Sequence, residues 1–136
     1  MKVSKKSPLE RQPRTPSEVQ WQAFEAAYWI EEEGDLAKAR IAYEHAARLG
    51  SPHAQINLAE MYDSGKFGFQ DRARARSLNK RAFKQGYTEA AYNLAQTYRM
   101  DNVWRWYRYW LQRAADAGDL EAKEDLCWLD AKKAAG

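Results

Sequence analysis

From residue 17 onward, apolar positions fall three or four apart with polar residues between them, the spacing of one face of an α-helix. Ala39, Tyr43 and Ala46 make one such stripe, Ala75, Asn79 and Ala82 a second, and Trp104, Tyr107 and Leu111 a third. Between them run Ala54, Leu58 and Tyr62, then Ala90, Leu94 and Tyr98. The pattern predicts helices over 17–33, 35–49, 52–63, 71–85, 88–100, 103–117 and 119–133. Glycines at 34, 50, 65, 86 and 118 punctuate it. Ser17, after Thr15-Pro16, is placed to cap the first helix. Gly50, Gly86 and Gly118 sit where a helix end calls for a left-handed residue.

The stripes recur with a period. Ala46-Ala47-Arg48-Leu49-Gly50 falls on Ala82-Phe83-Lys84-Gln85-Gly86 at a shift of 36, and on Ala114-Ala115-Asp116-Ala117-Gly118 after a further 32. The same shifts carry Leu58 onto Leu94 and Leu126, and Ala59 onto Ala95 and Cys127. Each unit holds two helices, giving repeats at about 17–50, 51–86 and 87–118 with a terminal cap at 119–133. One helix pair cannot bury its apolar face alone, so stacked pairs share a core. The expected fold is therefore all-α: a right-handed α-α superhelix of about three helix-turn-helix repeats plus a C-terminal capping helix.

Composition sharpens this. Alanine supplies 23 residues while valine and isoleucine together supply six, which leaves little for sheets. Three of the four prolines and five basic residues lie in 1–16, predicting a flexible basic tail ahead of a repeat domain at 17–136. The overall charge of +3 belongs to that tail, so it argues weakly for nucleic acid. Cys127 is the only cysteine, which excludes an internal disulfide and fits a reducing compartment. No apolar run is long enough to span a membrane, and no secretory leader is visible, so the expected location is cytoplasmic.

With these units in hand, the chain resembles the Sel1-like repeat family, a relative of the tetratricopeptide repeats. Ala54, Leu58, Ala59, Tyr62, Gly65, Asp71, Ala75, Ala82 and Gly86 fill one copy of its pattern. Ala90, Leu94, Ala95, Tyr98, Trp110, Leu111, Ala114, Ala115 and Gly118 fill the next. Asp35, Ala39, Tyr43, Ala46, Ala47 and Gly50 close a first. The chain departs from the pattern where Asp101-Asn102 replaces a glycine-bearing loop. The resemblance implies a non-catalytic adaptor or scaffold in a bacterial cytoplasm; some members resemble immunity proteins that neutralise a toxin.

Catalytic chemistry finds little support. There is no phosphate loop, no HExxH and no GxSxG, and a four-ligand zinc site of nitrogen and sulfur is out of reach with two histidines and one cysteine. Cys127 shares a small-residue slot with Ala59 and Ala95, which points to packing. No enzyme activity, cofactor or metal is expected.

Binding has more material. The first helix of each pair should line a concave side, where His53 pairs with Glu89, Asn57 with Asn93, Glu60 with Gln96, and Asp63 with Arg99. Trp21, Glu25 and Tyr28 add the first unit. Paired asparagines on successive helices could hold an extended peptide by its backbone, or simply bond neighbouring helix ends. A second patch is suggested by charge and aromatics. Residues 71–84 sum to +5, with Arg72 and Arg76 among them, and 17–35 sum to −6. Trp106 and Tyr109 lie in a run of aromatics and arginines at 104–110 that suits either core packing or stacking on bases. Two readings follow: a module binding a protein or peptide in the groove, and an RNA-binding helical repeat.

Overall fold

A computed structural model describes residues 13–135. Seven helices follow in order: α1 (Glu18–Glu32), α2 (Leu36–Arg48), α3 (Pro52–Ser64), α4 (Arg72–Lys84), α5 (Thr88–Met100), α6 (Trp104–Asp116) and α7 (Leu120–Ala135). Every expected helix is present, with its ends within two residues of the predicted ones. The described residues contain no strand.

Local chemistry explains the boundaries. Ser17 and Gln20 form a reciprocal capping box at the start of α1. Asp35, Ser51, Asp71 and Asp119 each accept a hydrogen bond from the amide three residues on, so α2, α3, α4 and α7 start on a side-chain cap. At the other ends, Gly50, Gly86 and Gly118 take φ of +94°, +95° and +102°. The amide after each donates back to Ala46, Ala82 or Ala114, a closure that an L side chain would strain. Asn102, at φ +59°, does the same between α5 and α6, where the Val103 amide donates to Tyr98. A two-residue turn thus replaces the glycine-bearing loop that joins α3 to α4.

The closest pairs are α1 with α2, α3 with α4, and α5 with α6; successive pairs then stack through α2 on α3, α4 on α5 and α6 on α7. The result is an all-α superhelix of three hairpins closed by α7. Among non-consecutive helices α3 and α5 approach most closely, so the odd-numbered layer lies on the inside of the bend there. Register is kept throughout. Leu58, Leu94 and Leu126 are each the seventh residue of their helix and are 2%, 0% and 8% exposed. On the even helices the eleventh residue is always a buried alanine, Ala46, Ala82 or Ala114, which lets backbones come close.

The apolar core is in two parts. One gathers Tyr43, Leu58, Tyr62 and Leu78; the other gathers Tyr107, Leu111, Ala115 and Leu126. Only a small cluster, Ile56, Ala82 and Ala90, lies between them.

Two side chains depart from expectation, and the described end of the tail makes contacts. The tail at 1–16 falls largely outside the described residues, but its last part is docked: the Arg14 amide donates to the Gln85 carbonyl at 2.8 Å, and the Tyr87 hydroxyl donates to the Arg14 carbonyl at 2.9 Å. Trp104 was expected in a core stripe and is exposed, because it opens α6 beyond the reach of neighbouring helices. Cys127 occupies the slot of Ala59 and Ala95 and is nonetheless exposed, since among the described residues no helix follows α7 to cover it. Among the described residues no helix is long and apolar enough to cross a membrane.

Candidate interaction face

The odd helices carry the expected binding residues at matching steps. His53, Asn57 and Glu60 occupy the second, sixth and ninth positions of α3, and Glu89, Asn93 and Gln96 the same positions of α5. Trp21, Glu25 and Tyr28 fall one helical face along α1. Trp21, Glu25, Tyr28, Glu60, Glu89 and Arg99 are exposed, while His53, Asn57, Asn93 and Gln96 are half-buried.

At the α1 end the face is aromatic. The His53 ring packs edge-on against Trp21 and Tyr87, both at 5.3 Å between centroids, and against Phe24 at 5.6 Å. Its Nδ1 is buried without a partner. Tyr87 also holds Arg14, so the 13–16 segment reaches this end of the face. Those contacts precede the first turn of α5, whereas Asn93 and Gln96 lie in its second and third turns.

Toward the α5 end the face turns polar. Glu60 of α3 and Asn93 and Gln96 of α5 border a cavity of about 110 Å³, with Asn79 of α4 among its lining residues. Asn79 is 2% exposed and its Oδ1 has no hydrogen-bond partner. The Gln96 Nε2 is likewise buried and unpartnered. Gln96 lies against the Tyr107 hydroxyl, and after Arg99 its hydrogen bonding there opposes the rise in the Tyr107 pKa that burial, first, and Asp125 cause. Asn57 lies similarly close to the Tyr43 hydroxyl, which donates to Glu31 at 2.5 Å. Burial first, and then Glu31, raises the Tyr43 pKa. Neither Asn57 nor Asn93 is hydrogen-bonded to a helix end, the alternative use considered for them.

The proposed basic patch on α4 is largely engaged within the fold. Arg72 bonds Asp63 at 3.2 Å and Asp101 at 2.5 Å. Arg76 bonds the Thr97 side chain and carbonyl, pairs with Asp101, and lies 4.1 Å from the Tyr98 ring centroid. Hydrogen bonds from Arg76, then from Arg72, outweigh partial burial and hold the Asp101 carboxyl below its usual range. These guanidiniums fasten the α5–α6 turn to α4, so they are not the open cations a phosphate backbone would meet.

Trp106 and Tyr109 are both 44% exposed. They belong to a file of rings running Tyr98, Trp106, Tyr109, Trp110 and Phe83, which Arg113 underlies. This file runs along the α5–α6 hairpin, ends on Phe83 of α4, and does not include Asn57 or Asn93.

Among the described residues no three acidic, histidine or cysteine side chains are grouped to hold a metal ion. No family model and no curated protein matches the chain. Two features of the face were missed by sequence reasoning. The docking of Arg14 on Tyr87 has no local signal. Asn79 had one: it is the eighth residue of α4, where α2 has Tyr43 and α6 has Leu111.

Proposed function

We propose that this chain is a non-catalytic interaction module, an adaptor or scaffold of the Sel1-like kind, working in a bacterial cytoplasm. Its odd-helix face takes a peptide or an extended stretch of a partner protein. The observation that carries this reading is where unmet hydrogen-bonding capacity lies. Of the four buried side-chain atoms without partners among the described residues, His53 Nδ1 and Gln96 Nε2 belong to the odd helices and Asn79 Oδ1 to a residue lining the cavity between α3 and α5. The fourth, Arg113 Nε, lies beneath the rings of α6. Native proteins rarely leave such groups unmet, and a bound main chain supplies alternating donors and acceptors.

A second reading, RNA binding, rests on the exposure of Trp106 and Tyr109. It is weakened by the engagement of Arg72 and Arg76 and by the pairing of Arg108 with Asp130.

The test is selection of peptides from a displayed library against the full chain, followed by titration on the Asn57→Ala, Asn93→Ala double variant. The expected result is a loss of affinity of about tenfold or more, as when two main-chain hydrogen bonds are removed. Unchanged affinity would contradict the reading. Tight, steeply salt-dependent binding of single-stranded RNA, abolished by Trp106→Ala, would favour the second one.

A further inference from the structure

Successive even helices lie side by side, and the space between them is filled differently from one repeat to the next. Between α4 and α6 the rings of Phe83 and Trp110 meet at 6.0 Å between centroids, and Tyr109 packs on Trp110 at 5.3 Å. One repeat earlier the same helix positions hold Ala47, Leu78 and Ser77. Rings give way to smaller side chains, and a groove of about 250 Å³ is left between α2 and α4.

Its base is Ala47, Leu58 and Leu78, all buried, so an occupant meets chiefly the walls. Those are Arg48, Arg74, Ser77 and Arg81, all exposed, and the half-buried Glu44. Arginine only donates hydrogen bonds. Glu44, the one acid in the lining, is already engaged by the Tyr62 hydroxyl and by Arg74 at 3.5 Å. Arg81 gives one N–H to the Ala47 carbonyl at 3.2 Å. The Arg48 guanidinium has no hydrogen bond or ion pair among the described residues, and α4 carries six basic side chains and no acidic one to offset the three arginines.

Donors and positive charge in excess select an oxyanion. A singly charged carboxylate suits a wall that includes Glu44 better than a phosphate, whose second charge would face that acid. The neighbouring rings do not offer a nucleic acid a free stacking platform, because Arg113 already lies over Tyr109 and Trp110, and Lys80 over Trp110.

We infer that the groove between α2 and α4 is a docking site for an acidic segment of a partner protein, whose carboxylates are taken by Arg48, Arg74 and Arg81. The site lies between even helices and does not rest on the odd-helix reading.

The test titrates the full chain with a labelled oligoglutamate peptide at about 50 mM salt, where charge contacts are only partly screened. An oligoglutamine peptide is the control. Saturable binding of the glutamate peptide alone is expected. Arg48→Glu should weaken it about tenfold or more, and because Arg48 is exposed and unpaired this variant keeps the fold. Lys133→Glu, the same charge change at another exposed position, should cost under about twofold. Ser77→Tyr places the side chain of the next repeat in the groove without changing charge, and should also cost about tenfold. Glutarate should displace the peptide at lower concentration than inorganic phosphate does. Absence of saturable binding would overturn the inference, as would the reverse order of the two competitors. Equal losses for Arg48→Glu and Lys133→Glu would overturn it by showing attraction to charge alone. Unchanged affinity in Ser77→Tyr would overturn it by placing the peptide outside the groove. An oligouridylate that binds more tightly than the peptide, and is weakened by Arg48→Glu, would overturn it in favour of nucleic acid.

Discussion

The two boundaries between repeats are built to one plan from different chemistry. Where the first repeat meets the second, Tyr43 fills the centre, its hydroxyl bonded to Glu31, and Tyr62 reaches back to Glu44. Where the second meets the third, Asn79 stands at the equivalent place and the adhesion comes from Arg76, Thr97 and Asp101 at the rim. The first boundary is filled at its centre by Tyr43, with a groove of about 250 Å³ between α2 and α4 alongside it. The second is held by polar contacts around a gap, and the apolar core divides there. Repeat geometry therefore depends on the small-residue register, Ala46, Ala82 and Ala114, whereas the eighth position of the even helix is free to vary without changing the stack. That freedom leaves room for the cavity beside Asn79.

The largest expected effect comes from opening a gap where the plan has none. Leu111→Ala should lose about 3 kcal/mol in urea denaturation, the cost of an unfilled buried cavity. A loss under about 1 kcal/mol would mean that the third repeat is as loosely packed at its centre as the second.

Arg76→Ala comes next. It removes a guanidinium bonded to Thr97 and Asp101 and stacked on Tyr98. A loss of about 2 kcal/mol is expected. Hydrogen exchange should quicken in α5 to α7 more than in α1 to α3. Uniform quickening would contradict the idea that this boundary is held by its rim.

Asn79→Leu converts the second boundary to the chemistry of the third repeat. It should gain about 1 kcal/mol, because a buried polar group without a partner is replaced by one that fits. Destabilisation instead would mean that ordered water bonded to Asn79 holds the repeats together.

The smallest effect is on acid stability. The Asp101 carboxyl has its pKa lowered from the ordinary 3.8, chiefly by its Arg76 hydrogen bond. A depressed folded-state pKa adds stability that is present above the unfolded value and lost as pH falls through the folded one. Denaturation midpoints should therefore fall below about pH 4, and the acid limb should be shallower in Arg76→Ala. An identical limb in both proteins would show that Asp101 does not report on this boundary.

The helices and their order were legible because the stripes of Ala39, Ala75 and Leu111 repeat with glycine stops after them, and both signals are local. Trp104 and Cys127 were misplaced for one shared reason. A periodic slot says which way a side chain points, but its burial depends on whether another helix covers it; Trp104 stands at the very start of α6, and among the described residues no helix follows α7 over Cys127. Arg72 and Arg76 were read as a charge run because their partner, Asp101, lies a whole helix away in sequence. Of the candidate face, the recurrence of Asn57 at Asn93 and of Glu60 at Gln96 was visible. The cavity behind them was not, since it depends on α3, α4 and α5 together.

The most direct test of the account is to map amide shifts across the full chain as a selected peptide is added. Shifts concentrated at Asn57, Glu60, Asn93 and Gln96, with α6 from Trp106 to Tyr109 unmoved, are the predicted result. Shifts confined to Trp106, Tyr109 and their neighbours would contradict the claim that the odd-helix face takes the partner.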